Sequence, residues 1–297
     1  MSRIFSQRSL VYVLGLALPL AIYALFIGYP IVYNVYLSLT SWNGLSPRVP
    51  FVGAVNYLKL TGDPNFRLSF INTMLWSAIS LVFHVVLGMG IAIFLFTGRV
   101  FAPTLFRSLI FLPVTMSLVA ITLMFSLIMS PGFGILDQAL HALHLDFLIR
   151  PWLGDYHLTI YILILIDAWA YLGVPLMLFH AGLGNLERDQ FEAARLDGAN
   201  SWQIARFLIV PAMRPVTLVV TMLSIIHSLK AFDVVSVMTR GGPAGATNVL
   251  GYYMYVVSFL RNQFGYGASI AVVLLILSAG FAFGYLRSVA KDTLRAG

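Results

Sequence analysis

The chain has no cysteine, which excludes disulfide frameworks, thiolate metal sites and cysteine nucleophiles. Charge is scarce. Only 10% of residues are Asp, Glu, Lys or Arg, against about 25% in a soluble domain, so a water-facing surface cannot be built from this composition. Lysine is scarce: Lys59, Lys230 and Lys291 follow Leu, Leu and Ala. A P-loop requires Gly-Lys-Ser/Thr so that lysine reaches the phosphates, and none of the three lysines provides it. HExxH, G-x-S-x-G and paired-aspartate arrangements are also missing, which leaves no catalytic residues and no metal ligands to name. The formal charge of +7 does not imply nucleic acid as a partner, because the basic residues lie in short segments between apolar runs.

What remains is 60% hydrophobic over 297 residues. A spanning helix needs about 20 mostly apolar residues. The pattern predicts an all-α membrane protein with six spans at about 10–38, 69–96, 108–130, 158–180, 212–237 and 266–287, forming one transmembrane domain over 1–297. The run Val249 to Leu260 is too short to cross and reads as an interfacial helix, with Tyr252, Tyr253 and Tyr255 at headgroup depth. Further short amphipathic helices are expected in the external loops 39–68 and 131–157. With both termini in the cytoplasm, the inner segments hold Arg3, Arg8, Arg99, Arg107, Arg188, Arg195, Arg206, Arg214, Arg287, Lys291 and Arg295. The outer side keeps Arg48, Lys59, Arg67, Arg150, Arg240 and Arg261. The excess sets that orientation.

The inner loop 187–211 is the most informative stretch. Ala193 and Ala194 favour helix, Gly198 beside Asp197 suits a left-handed helix end, and Asn200 or Ser201 can cap a second helix that Pro211 leads into the fifth span. Glu192-Ala193-Ala194, three residues, Gly198, nine residues and Leu208-x-Val210-Pro211 resemble the EAA loop of ABC importer permeases, the membrane subunits of binding-protein-dependent transporters. The departures are Leu for Ile and Val for Leu. Phe51-Val52-Gly53 with Asn56-Tyr57, Phe106-Arg107 with Leu112-Pro113, Gly134-Ile135-Leu136 and Thr239-x-Gly241-Gly242-Pro243 are similar to the carbohydrate-uptake branch, so the resemblance spans nearly the whole chain.

The resemblance implies a type I importer permease of the bacterial inner membrane that works by alternating access. It implies a second homologous permease, two ATP-binding subunits that carry ATP and Mg, and an extracytoplasmic solute-binding protein. Glu192, Ala193, Ala194, Asp197 and Gly198 would form the surface that docks on the ATPase. This chain itself would need no cofactor.

For the pathway, Thr217, Thr221, Ser224 and Ser228 share one face of the fifth span, with His227 adjoining. They either line a passage or bond back to carbonyls and pack. His227 alone reads as an interior hydrogen-bonder rather than a metal ligand. Lys230 and Asp233, three apart on one helix, form either a gate or a self-neutralising pair. Asp167, Trp169 and Tyr171 fall near the outer end of the fourth span, where water reaches the acid and the rings suit either sugar stacking or an interface belt. A midplane nearly free of charge favours a neutral sugar, oligosaccharide or polyol. A glycerol-phosphate permease and an ion-coupled secondary transporter remain as alternatives.

Overall fold

In the computed structural model, residues 7–96 and 101–296 are described, with side chains from 15 to 288 apart from Arg188. Arg3 and Arg99, used above for orientation, lie outside the described residues. Helices dominate: α1 (Gly15–Ser38), α2 (Val55–Gly62), α3 (Pro64–Phe96), α4 (Pro103–Thr115), α5 (Leu118–Ile128), α6 (Ile135–Ala142), α7 (Thr159–Tyr171) and α8 (Gly173–Gly184). They continue as α9 (Arg188–Leu196), α10 (201–212), α11 (Arg214–Leu229), α12 (Asp233–Met238), α13 (Leu250–Leu260) and α14 (Phe264–Ala296). Among the described residues the one β element is an isolated bridge between Thr40 and Phe51.

Among the described residues four helical stretches are long and apolar enough to span a membrane, or up to six when each of two bent pairs counts as one span. The expected third span is therefore not one helix. α4 and α5 meet at 98°, because Pro113 supplies no N–H to the carbonyl four residues back and Met116 turns extended. The fourth span bends by 43° between α7 and α8. Pro175 leaves the Tyr171 carbonyl without its helical donor, and Gly173 lets α8 approach α4 so closely that a Cβ would lie 2.9 Å from the Phe111 backbone. The fifth span begins at Arg214-Pro215 rather than at Pro211, since the chain breaks at Met213. α13 is the short helix expected; it rises about 16 Å, well short of the ~30 Å core. Its Tyr252 and Tyr253 are buried, so they are packing residues and not headgroup anchors.

The chain forms two compact units, Met1–Asp63 with Met254–Leu275, and Pro64–Tyr253 with Ile276–Gly297. In the first, the amide of Asn56 donates to the Ser38 and Thr40 carbonyls at 2.8 and 2.7 Å, closing the open end of α1. Tyr57 and Ser38 hydroxyls bond at 2.7 Å, so the Asn56-Tyr57 pair anchors the loop after the first span. In the second unit, the carboxylate of Asp155 accepts the backbone N–H groups of Leu158 and His157, which hold its pKa below the ordinary value and order the turn that leads into α7. A core of Leu176, Phe179, Met213 and Val220 packs where α3, α8 and α11 meet.

Candidate functional site

One face of α3 carries Ser69, Thr73, Ser77, Ser80 and His84 at steps of four, four, three and four, and all five are buried. A single π-type turn over Phe83–Leu87 adds a residue to the helix at His84. This face meets the hydroxyl stripe of α11. Ser228 donates to Ser77 at 2.8 Å, and Ser224 lies 3.1 Å from Nδ1 of His84. The other ring nitrogen, Nε2, sits 3.1 Å from the Ala168 carbonyl, which can only accept. Nε2 therefore carries a proton, and Nδ1 faces the Ser224 hydroxyl. The stripe thus joins α11 to α3. Ser224 and Ser228 are both 0% exposed, and Thr217 bonds back to the Met213 carbonyl at 3.0 Å.

Asp167 stands at the centre. Sequence reasoning put it within reach of outer water, but it is 2% exposed. It lies eight residues, about 12 Å, beyond the start of α7, where flanking spans replace solvent. Its Oδ2 accepts the indole N–H of Trp76 at 2.9 Å, and Nε2 of His227 lies 3.2 Å from Oδ1. Two donors offset the desolvation of the carboxylate. The His227 ring stacks on Tyr171 with centroids 4.0 Å apart and planes 11° from parallel. The acid is therefore already engaged.

Beside this cluster lies a cavity of about 160 Å3, walled by Pro113, Val114 and Met116 from the break between α4 and α5, and by Asp167, Tyr171 and His227. That is smaller than the ~300 Å3 at which small-molecule sites begin. Trp169 points elsewhere, packing edge-on against Phe125 at 5.7 Å. Lys230 and Asp233 are not paired on one helix. α11 ends with Lys230 as its C-cap, Phe232 leaves helical geometry at φ −137°, and Asp233 opens α12. Among the described residues no ion pair joins them, and both side chains are exposed. Nor is any group of three His, Asp or Glu side chains placed to hold a metal.

The second site is the element 187–212. α9 ends in a Schellman motif: Ala199 N–H reaches the Ala194 carbonyl at 2.9 Å, Gly198 N–H reaches Arg195 at 3.1 Å, and Gly198 has φ +83°. Asn200 then caps α10 in a capping box with Gln203, at 2.9 and 2.8 Å. Glu192, Ala193, Asp197 and Gly198 are exposed, while Ala194 and Phe191 pack on the core. Leu196 is 89% exposed, an apolar knob at the tip of a polar turn.

Sequence reasoning missed Trp76 and His84. The signal was present, because the polar positions of α3 repeat at helical spacing within an uncharged run.

Residues 84–290 match the family described as binding-protein-dependent transport system inner membrane component. A probable ABC transporter permease protein of Pyrococcus horikoshii is 33% identical, the match covering 93% of this chain and 94% of that protein. The lactose transport system permease protein of Rhizobium radiobacter is 31% identical, with 89% of each covered. Among solved structures, a bacterial ABC transporter involved in the import of the acidic polysaccharide alginate superposes with TM-score 0.79 at 19% identity, covering 95% of this chain and 96% of that one. The chain belongs to the binding-protein-dependent transport system inner membrane component family.

Proposed function

We propose that this chain is the membrane-spanning permease subunit of an ATP-driven importer, carrying a neutral sugar, oligosaccharide or polyol into the cytoplasm by alternating access. The observation that carries the reading is the pairing of an exposed, doubly capped turn bearing Glu192 with a chain that has no P-loop lysine. A rigid tip and no motor call for a motor outside the chain. ATP and Mg2+ belong to two nucleotide-binding subunits that take Glu192, Ala193, Ala194, Asp197 and Gly198 as their docking surface. A second, homologous permease completes the pathway, and an extracytoplasmic binding protein delivers the solute. Both termini and the element 187–212 face the cytoplasm of a bacterial cell, as the basic residues require.

The lactose relative supports carbohydrate as the cargo, and so does the chemistry of the wall. Asp167 and His227 border the cavity with hydrogen-bonding groups and Tyr171 with a ring face, while the Asp167 carboxylate already accepts from Trp76 and lies against His227. In the mechanism, closure of the ATPases moves α9 and α10, and α11 follows because α10 leads directly into it. α11 carries His227, so the stroke changes the wall of the cavity.

The test is uptake into proteoliposomes holding the chain with its co-expressed permease, ATPases and binding protein. ATP-dependent accumulation of a labelled neutral saccharide, competed by other neutral saccharides but not by glycerol phosphate, is expected. Competition by glycerol phosphate overturns the neutral-solute reading. Uptake by the chain alone under an ion gradient overturns the whole proposal.

A further inference from the structure

A cavity of about 830 Å3 opens on the second unit between the latter half of α3, α10 and the start of α11. Its volume lies within the ~300–1,000 Å3 of small-molecule sites. The wall is apolar, formed by Val86, Met89, Gly90 and Ile93 of α3 with Leu218 of α11. A Cβ on Gly90 would meet nothing within 4 Å, so the trough beside it is open. The rim differs: Arg206 and Arg214 both line the cavity from exposed positions, and Trp202, 71% exposed, stands with them. None of these residues belongs to the Asp167 cluster.

An open apolar trough of this size is a liability in water, but at the end of two spans it borders acyl chains. Two guanidinium groups at its mouth suit a phosphate, which planar N–H donors bind well. Basic pockets at the cytoplasmic ends of spans take anionic lipid headgroups, and a tryptophan at the same level marks headgroup depth. A protein partner would need acidic groups to meet both arginines inside an otherwise apolar contact; a phospholipid supplies the tail and the charge in one molecule.

We propose that this groove binds an anionic phospholipid of the inner leaflet, with an acyl chain along α3 past Gly90 and the phosphate between Arg206 and Arg214. The leaflet assignment rests on the orientation given under Proposed function. The bound lipid braces α10 against α3, at the joint where the motor's stroke enters the membrane.

The assembled complex, stripped of lipid and exposed to mixed vesicles of phosphatidylglycerol and phosphatidylcholine, is analysed by native mass spectrometry. The wild type is expected to retain phosphatidylglycerol preferentially. Arg206→Gln with Arg214→Gln is expected to weaken that retention by roughly tenfold or more, as the loss of two phosphate contacts implies. Gly90→Phe, whose Cβ meets nothing within 4 Å and whose ring would occupy the trough, is expected to lower retention of both lipids while the melting temperature holds. Retention unchanged in both variants overturns the proposal. So does displacement of the lipid by inorganic phosphate alone, or efficient cross-linking of Leu218→Cys to the second permease, which would make the groove a protein interface. The readout is bound lipid and not uptake, so a complex that keeps this lipid yet transports no saccharide refutes the transport reading and leaves this one intact.

Discussion

The element 187–212 and the cluster around Asp167 are both polar constructions in an apolar chain, yet they are built in opposite ways. In the loop, bonds close over three to five residues: Ala199 to Ala194, Asn200 to Gln203, Gln190 to Glu187. In the cluster, the partners stand 60, 91, 140 and 151 residues apart. The loop holds its shape by local capping and leaves its outer face unoccupied. The cluster exists only once three spans have packed, and its groups are turned toward one another. A surface meant to engage another protein is built from the chain's own turns; a polar wall inside lipid has to be assembled across helices, because unsatisfied groups there are costly.

The largest expected effect breaks the second of these. Asp167→Leu removes the acceptor of the Trp76 N–H and the partner of His227, leaving a buried indole N–H and a half-buried imidazole unmatched. A loss of about 3–5 kcal/mol is expected, read as a lowered unfolding midpoint of the purified complex together with abolished uptake. Asp167→Asn keeps a carbonyl oxygen for Trp76 and is expected to cost about 1–3 kcal/mol. Equal stability of Asp167→Leu and wild type would show that the cluster holds nothing together.

Glu192→Lys tests the loop. The residue is exposed and, among the described side chains, the charge reversal breaks no hydrogen bond or ion pair, so stability should change by less than about 0.5 kcal/mol. Saccharide-stimulated ATP hydrolysis and uptake are expected to fall by roughly tenfold or more. Wild-type coupling in this variant would remove Glu192 from the docking surface.

The same contrast explains what could be read from the sequence. The helix, break and second helix of 187–212 were legible because Gly198, Asn200 and Gln203 act on their own neighbours. Four of the spans and the short α13 were legible from apolar length. The 98° break was not foreseen, although Pro113 stood in view, because an apolar run of the right length outweighed one proline. Asp167 was placed near water because sequence position measures distance along the chain and not the packing of α3 and α11 around it. Lys230 and Asp233 were taken as helical neighbours on spacing alone, and the irregular Phe232 undoes that. The long-range pairs of Trp76 and His84 had no local counterpart to read, only the polar repeat along α3.

Asn200→Ala sharpens the local half of the comparison. It removes the side-chain half of the capping box and is expected to cost about 1 kcal/mol, confined to α10. Amide hydrogen exchange should quicken at Gln203 while the global melting temperature stays put. Slowed or unchanged exchange there would mean that neighbouring contacts, not the cap, define the turn.

The smallest effect decides whether the hydroxyl stripe of α11 is glue or passage. The Ser77 and Ser228 hydroxyls bond at 2.8 Å, and the Ser228 hydroxyl also lies 2.9 Å from the Ile225 carbonyl. Interhelical hydrogen bonds of this kind contribute about 0.6 kcal/mol on average, because the separated helices find other partners. A double-mutant cycle on Ser77→Ala and Ser228→Ala should therefore return a coupling of about 0.6 kcal/mol in stability, with uptake kinetics changing little in either single variant. A stripe that lined the passage would give the reverse: no coupling in stability, and a rise in the half-saturating solute concentration on removing Ser228 alone. The 0% exposure of Ser228 favours the first outcome, since a hydroxyl already spent on Ser77 and walled from the cavity has no face left to offer a solute.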